Sequence, residues 1–195
     1  YLPSPVIKKE VDKGGNEKFS STTPEKSIGK MAAFHGNFGA LVRAYAYIST
    51  LGRPGIASIS ENAVLNANYI MSQLKGVYDL PYDRTCMHEV VFSAKSLLRD
   101  YNVSALDVAK RLIDYGIHPP TMYFPLIVEE ALMIEPTETE TKETLDYFIE
   151  VMKEIAREAK DNPKLLHEAP HNTPNTRLDE ARAARQPDLR WKAPE

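Results

Sequence analysis

The stretch from residue 116 to residue 140 sets two short apolar runs between breaks that a helix cannot cross. The runs cover residues 122–126 and 131–134, and prolines stand at positions 119, 120 and 136. Proline disfavours a helical conformation at the residue before it. Short apolar runs bounded by such breaks are typical of buried strands. We therefore predict two strands here, with the polar residues at their ends facing a cleft.

Helices are predicted before and after this pair of strands, because apolar residues recur at spacings of three and four. In the helix that follows, Thr137 or Thr139 is the predicted N-cap. In the helix that precedes, Ser104 and Asp107 have the spacing of an N-cap pair. The apolar stripe of the following helix consists of Leu145, Phe148, Ile149, Met152, Ile155, Ala156 and Ala159.

In the first half of the chain, the pattern of apolar residues predicts two more helices and two more strands. A helix at 41–48 ends near Gly52 and Pro54, and a clearer one covers 55–75. Strands are predicted at 77–82 and 86–93, and Val6-Ile7 with a turn at Gly14-Gly15 indicates an edge hairpin. Helices and strands in this order predict an α/β fold of the two-layer α+β type.

Composition excludes several classes of protein. The chain has 195 residues, is 43% hydrophobic, carries a formal net charge of -3 and contains one cysteine, Cys86. This balance of charge gives no reason to expect nucleic acid or an anionic membrane as a partner. A single cysteine rules out an internal disulfide and a multi-cysteine metal site, and it fits a cytoplasmic location. No apolar run reaches the roughly 20 residues of a membrane span, and the opening residues resemble the middle of a longer protein.

Candidate site residues lie at the ends of the two central strands. They are His118, Thr121, Glu135, Thr137 and Glu138. Each has a structural alternative, because His118 can cap or pack and the acidic residues can stabilise the first turn of a helix. Gly36-Asn37 can bind an anion at a helix start or simply cap that helix. We predict no metal site and no catalytic pairing of His88 with Glu89, since neighbours on a strand point to opposite faces.

Four segments together resemble one known family. They are Phe34-His-Gly-Asn-Phe-Gly39, Ala63-Val-Leu-Asn-Ala-Asn-Tyr69, the segment from Asp107 to Thr121, and Leu132-Met-Ile-Glu-Pro-Thr-Glu138. They resemble the carboxy-terminal part of glycine dehydrogenase (decarboxylating), the P-protein of the glycine cleavage system, and most closely subunit 2 of its two-subunit bacterial form. The resemblance runs from about residue 5 to the end of the chain.

The resemblance implies the small domain of a fold type I enzyme that uses pyridoxal 5'-phosphate to decarboxylate glycine. Such an enzyme passes the aminomethyl group to lipoylated H-protein, and it would work as a homo- or hetero-oligomer with subunit 1. The family's Schiff-base lysine lies in a Leu-His-Lys segment followed by glycines. This chain lacks that segment, so no catalytic residue is assigned here and the fragment alone is expected to be inactive.

By the same resemblance, Gly36 and Asn37 match the loop that approaches the cofactor, and His118, Thr121, Glu135, Thr137 and Glu138 match the substrate cleft. The implied organisation is an arm or a remnant of the cofactor-binding large domain at 1–30, the small domain at 31–160, and a C-terminal arm at 161–195.

Two other interpretations remain open. The chain can be a non-catalytic interaction module that docks the partner subunit or H-protein. It can also be the small domain of another fold type I enzyme, such as an aminotransferase. Aminotransferases usually clamp a substrate carboxylate with an arginine on a small-domain strand. Residues 122–126 and 131–135 contain no arginine, which argues mildly against that alternative.

Overall fold

A computed structural model describes residues 2–31 and 36–191 of the protein. The chain divides into two compact units, residues 1–56 and residues 57–195. Each unit is described by itself. Strands and helices alternate along the chain, which confirms the predicted α/β class.

The first unit contains an antiparallel hairpin of β1 (Val6–Val11) and β2 (Glu17–Thr22). Its turn is held by the Asp12 carboxylate, which accepts hydrogen bonds from the backbone N–H groups of Gly14 and Asn16 at 2.8 and 2.9 Å. Helix α1 (Phe38–Leu74) begins in this unit and is interrupted at Gly52, where φ is 61° and ψ is -176°. Two helices were predicted to meet at this glycine, and the kink is their junction.

The second unit is built around a three-stranded antiparallel sheet with the order β3-β5-β4. Its strands are β3 (Val90–Ser93), β4 (Thr121–Met122) and β5 (Ala131–Ile134). The central strand β5 pairs Ile134 with Val90 on one side and Met133 with Thr121 on the other. This register brings the residues after β5 to the same end of the sheet as the loop before β4.

Helices complete one hydrophobic core around this sheet. They are the end of α1, α2 (Lys95–Tyr101), α3 (Ala105–Asp114), α4 (Lys142–Asp161) and α5 (Pro163–His167), and a separate short helix α6 (Glu180–Arg185) follows. The predicted stripe of α4 faces the core, with Met152, Ile155 and Ala159 all at 0% exposure. The largest fully buried side chains include Phe92, Ile70, Leu74, Leu112, Leu132 and Leu166.

Several predicted strand boundaries were wrong. Residues 77–82 form no strand and contain two isolated bridges, Tyr78 with Lys75 and Asp79 with Ser93. Pairing of β3 begins at Val90 rather than at residue 86, because the backbone N–H of Cys86 donates to the side chain of Asn68 at 3.1 Å. Pairing of β4 stops after Met122, because Tyr123 has a positive φ of 57°.

Two helix predictions also need correction. Helix α2 was not predicted, since it has seven residues and no side chain caps its beginning. Helix α4 is capped by Thr141, whose side chain accepts from the N–H of Thr144, and not by Thr137 or Thr139. By contrast, the predicted capping box of Ser104 and Asp107 at the beginning of α3 is confirmed.

The segment after α4 packs on α3 through two buried carboxylates. Asp107 accepts a hydrogen bond from Arg177 at 2.5 Å. Asp114 accepts from the backbone N–H groups of His171 and Asn172 at 2.5 and 2.8 Å. The two ends of α3 therefore hold residues 171–177 against the domain. Among the helices described, none has the length and apolar character that crossing a membrane would require.

Candidate functional site

An open cavity of about 480 Å³ lies in the second unit, beside the end of β5. Its floor is apolar and includes Ile70 of α1 and Phe148 of α4. Polar groups stand around it on the loop before β4, on the residues after β5 and on the beginning of α4. The polar side chains of the lining are His118, Thr121, Glu135, Glu140, Thr144 and Tyr147.

The loop before β4 is positioned by the end of α3. Gly116 has φ 73°, a left-handed conformation that costs glycine little. Its N–H donates to the carbonyl of Ile113 at 2.9 Å, and the N–H of Ile117 donates to that of Leu112 at 3.1 Å. These bonds close the helix, and the prolines that follow keep the chain extended as far as Thr121. His118 and Thr121 thereby reach the cavity.

Glu135 reaches the same cavity from β5, the strand that pairs with β4. It follows the last residue of β5, and its side chain is 59% exposed. The Nε2 atom of His88 lies 3.7 Å from the Oε1 atom of Glu135 and 3.8 Å from the Oε2 atom of Glu89. His88 and Glu89 precede β3 instead of lying within it, so the strand argument for opposite faces was wrong. The sequence did not indicate that His88 would lie beside Glu135.

Thr137 and Glu138 are not among the residues that line the cavity. The carbonyl of Thr137 accepts a hydrogen bond from the Asn66 side chain at 2.9 Å, and its hydroxyl lies 2.7 Å from that of Thr139. Glu138 is half-buried. These residues fix the turn from β5 to α4, and their role in a substrate cleft stays a prediction.

Gly36 and Asn37 belong to the first unit. Gly36 has φ 111°, and the side chain of Asn37 accepts from the N–H of Ala40 at 3.2 Å. This is a helix-capping arrangement at the beginning of α1. Phe34 and His35, which share the loop, lie outside the described residues. The cofactor-binding role of this loop stays a prediction.

The wall contributed by α4 was missed in the sequence. Tyr147 donates its hydroxyl to the carbonyl of Tyr115 at 2.9 Å, which fixes the wall against the end of α3. Thr144 and Tyr147 lie three residues apart on α4, so they could have been recognised as one face of that helix, and Glu140 lies just before its N-cap.

A charged network joins the end of α3 to α4. Arg111 donates to Glu158 at 2.7 and 2.9 Å and to Asp114 at 3.0 Å. Burial of Asp114 opposes its ionisation, yet hydrogen bonds from the backbone of Asn172 and His171 and from Arg111 outweigh burial and hold its pKa below the ordinary value. Burial and the nearby Glu158 carboxylate raise the pKa of Tyr115. These groups are ion-paired and hydrogen-bonded, so they serve the structure.

The lining sets limits on what the cavity can bind by itself. Its described lining contains two carboxylates, one histidine and no lysine or arginine. A phosphate group would find no permanent cation there. Within residues 2–31 and 36–191, no cluster of three or more His, Cys, Asp or Glu side chains is arranged for a metal ion. The described lining therefore offers hydrogen-bonding groups and negative charge, and no permanent positive charge.

Comparisons with known proteins place the chain in a family. Residues 59–175 match the model described as "Glycine dehydrogenase, C-terminal domain". Two similar relatives are both called "Probable glycine dehydrogenase (decarboxylating) subunit 2". The protein of Caldanaerobacter subterraneus subsp. tengcongensis is 57% identical over 98% of this chain. That of Thermotoga maritima is 50% identical over 98%. The chain covers 38% and 40% of these relatives, well under half of their length.

A solved structure has the same fold. It is described as glycine decarboxylase (P-protein) of the glycine cleavage system in inhibitor-bound form, and it matches 78% of this chain and 35% of its own, with a TM-score of 0.59. Sequence identity to it is 19%, so this likeness bears on the fold alone. Because the family model covers more than half of its residues, this chain belongs to the glycine dehydrogenase family and is a C-terminal domain of that family.

Proposed function

We propose that this chain is the C-terminal part of a glycine dehydrogenase (decarboxylating) subunit 2. In this proposal the full-length protein works with subunit 1 in the cytoplasm. It decarboxylates glycine and delivers the aminomethyl group to lipoylated H-protein. The observation that carries the proposal is the cavity, which gathers His118 and Thr121 from one family segment and Glu135 from another. The names of the relatives support the reaction.

Pyridoxal 5'-phosphate is the cofactor that the family implies. The residues described here do not fit it unaided, because the cavity lining offers neither a lysine for a Schiff base nor a cation for the phosphate. The chain's part is therefore the wall of a cleft whose cofactor-binding side lies elsewhere in the full-length protein. We assign no catalytic residue to this chain. Gly36 and Asn37 remain the proposed approach to the cofactor, with Thr137 and Glu138 as proposed supports of the cleft.

The contribution of His118, Thr121 and Glu135 is to shape and polarise that wall. The hydroxyl of Thr121 can donate to a substrate oxygen, and the His118 ring can donate or accept. Glu135 favours a positively charged ligand group and disfavours a second carboxylate nearby. The apolar floor at Ile70 and Phe148 excludes water beneath them, which strengthens these interactions.

Steady-state glycine decarboxylation by the full-length enzyme, with subunit 1 and lipoylated H-protein present, tests the proposal. Thr121→Ala and Glu135→Gln should each lower kcat/KM by about tenfold or more, the usual scale for losing one hydrogen bond to a charged group. Glu150→Gln, on the exposed side of α4, is the matched control and should behave like the unmodified enzyme. Unchanged kcat/KM in both cavity variants would remove the cleft assignment.

A second measurement tests where the cofactor lysine lies. Borohydride trapping with pyridoxal phosphate, followed by mass spectrometry, should give one adduct on the full-length protein, outside these 195 residues. An adduct on a single lysine within this chain would show that the placement of the cofactor side is wrong.

A further inference from the structure

Three large apolar side chains project into solvent from the loop between β4 and β5. Phe124 is 53% exposed, Leu126 87% and Ile127 79%. We call these three residues the apolar tip. Single exposed apolar residues are ordinary on protein surfaces, but a contiguous group marks a contact surface. The group lies outside the cavity described above, whose lining includes none of the three.

The loop that carries the apolar tip is held in one conformation. Tyr123 and Glu130, at its two ends, have positive φ values of 57° and 51°. A left-handed backbone costs a non-glycine residue free energy and persists only where its surroundings enforce it. Here the N–H of Tyr123 donates to the carbonyl of Ala131 at 2.9 Å, and that of Val128 donates to the carbonyl of Pro125 at 3.0 Å.

The base of the loop is fixed to neighbouring elements as well. The hydroxyl of Ser93 donates to the carbonyl of Glu129 at 2.6 Å. The N–H of Ala94 donates to the carbonyl of Glu130 at 2.9 Å. The Glu130 carboxylate accepts from the N–H of Ala105 at 2.6 Å. A loop fixed in this way cannot fold its apolar residues back onto the core. It loses little conformational entropy on binding, which favours tight docking.

We propose that the apolar tip docks on an apolar surface in the amino-terminal part of the full-length protein. The matching family model is a C-terminal domain, and this chain covers 38% of a relative, so most of that protein precedes the matched region. The tip also continues directly from the cavity. Thr121 lines the cavity at the beginning of the short strand β4, and Phe124 lies two residues beyond the end of that strand. Docking of the tip therefore sets the cavity beside the amino-terminal part.

This inference rests on the proposed function insofar as the full-length protein is a glycine dehydrogenase subunit. It adds the surface through which the cleft is assembled. A second copy of the chain is the competing occupant of the apolar tip, and the experiment separates the two.

Cysteine labelling in the native full-length protein tests whether the apolar tip is covered. Leu126→Cys and, as reference, Glu150→Cys are treated with a maleimide, and each site is followed by peptide mass spectrometry, which also resolves Cys86. Glu150 has a side chain that is 69% exposed. We expect labelling of position 126 to be slower than that of position 150 by about tenfold or more, and equally fast after denaturation. Equal rates in the native protein would overturn the proposal.

Photo-crosslinking identifies what covers the tip. p-Benzoylphenylalanine in place of Leu126 should form crosslinks to peptides that lie before this chain in the same polypeptide. Crosslinking in a mixture of isotopically heavy and light protein distinguishes contacts within one polypeptide from contacts between two. Crosslinks that join heavy to light protein at the tip, or that end within residues 2–56, would overturn the proposal.

The outcome is independent of the reaction. A preparation that fails to decarboxylate glycine but protects position 126 refutes the proposed function and leaves the docking surface standing. A preparation that is active but labels position 126 freely refutes the docking surface alone.

Discussion

At the scale of single residues, Asp107 is a buried carboxylate that is held by several hydrogen bonds. It is 5% exposed and accepts hydrogen bonds from the backbone N–H and hydroxyl of Ser104 at 2.8 and 2.6 Å. Arg177 donates to its other oxygen at 2.5 Å. Burial alone would raise the pKa of this carboxyl, but the hydrogen bonds from Ser104 and Arg177 outweigh burial and hold the pKa below its ordinary value.

Replacing Asp107 with asparagine should therefore destabilise the protein in a pH-dependent way. A carboxyl with a depressed folded-state pKa contributes stability above its unfolded-state pKa and loses that contribution as the pH falls through the folded-state value. Asp107→Asn should cost about 1–3 kcal/mol at pH 7, the range for hydrogen bonds to a charged group. The difference from the unmodified protein should shrink as the pH falls below the ordinary pKa of an aspartate, because the folded-state pKa is lower still. Urea unfolding at several pH values measures this.

The matched control is Asp161→Asn, at the exposed end of α4. It should change the unfolding free energy by no more than about 0.5 kcal/mol at any pH. A cost for Asp107→Asn that is the same at pH 7 and at pH 3 would refute the electrostatic explanation.

The sequence revealed only the local part of this arrangement. Ser104 and Asp107 have the three-residue spacing of a capping box, which a reader can recognise. Arg177 lies 70 residues further on, and nothing in its neighbourhood marks it as the partner of Asp107. The contact of His88 with Glu135 was not predicted either, because the two residues are brought together only by the tertiary structure.

At the scale of elements, Gly116 controls how α3 leads into the cavity. It has φ 73°, and a Cβ atom placed there would meet nothing within 4 Å. A substitution is therefore opposed by backbone conformation and not by a clash. The same residue lines the cavity, so a change in its φ displaces the loop that carries His118 and Thr121.

Gly116→Ala should cost about 1–2 kcal/mol, the price of a left-handed conformation for a residue with a Cβ. Asparagine tolerates that conformation better, so Gly116→Asn should cost clearly less. Thermal or urea unfolding of the two variants side by side measures the difference. Equal losses, or a larger loss for asparagine, would indicate a steric cause that the structure does not contain.

Helices were predicted correctly where apolar residues recur at helical spacing over several turns. The stripe of α4 repeats for more than four turns, and its burial was predicted correctly. The strands did not offer such a signal, because each has at most four paired residues in the sheet. The end of β4 depends on the positive φ of Tyr123. Tyrosine rarely adopts a positive φ, so the sequence does not predict a turn there. The apolar run beyond it was therefore taken for strand.

At the scale of the whole molecule, the segment after α4 consists of two parts with different burial. Leu166 and Ala169 are fully buried, and Arg177 reaches Asp107. Helix α6, beyond them, has no buried residue. This difference in burial allows a test of the proposed boundary between the small domain and the C-terminal arm at residue 161.

Truncation of the full-length protein at two points provides that test. Ending the chain after Asp161 removes the buried Leu166 and the partner of Asp107. It should cost on the order of 3–5 kcal/mol or abolish soluble expression. Ending it after Leu178 removes α6 and should change the unfolding free energy by about 0.5 kcal/mol or less. Thermal unfolding and soluble yield measure both. A stable protein that ends at Asp161 would mean that residues 163–177 contribute little and that the arm begins where it was proposed.

The pairing of Asp107 with Arg177 also has a consequence for synthesis on the ribosome. A nascent chain emerges from its amino terminus, so the helix that contains Asp107 is complete well before residue 177 has been made. Until Arg177 has been made, the Asp107 carboxylate lacks its guanidinium partner. Until Leu166 has been made, the part of the core that it covers stays exposed to solvent. The domain thus completes its folding late in translation, and the nascent chain before that point presents an apolar surface on which chaperones can act.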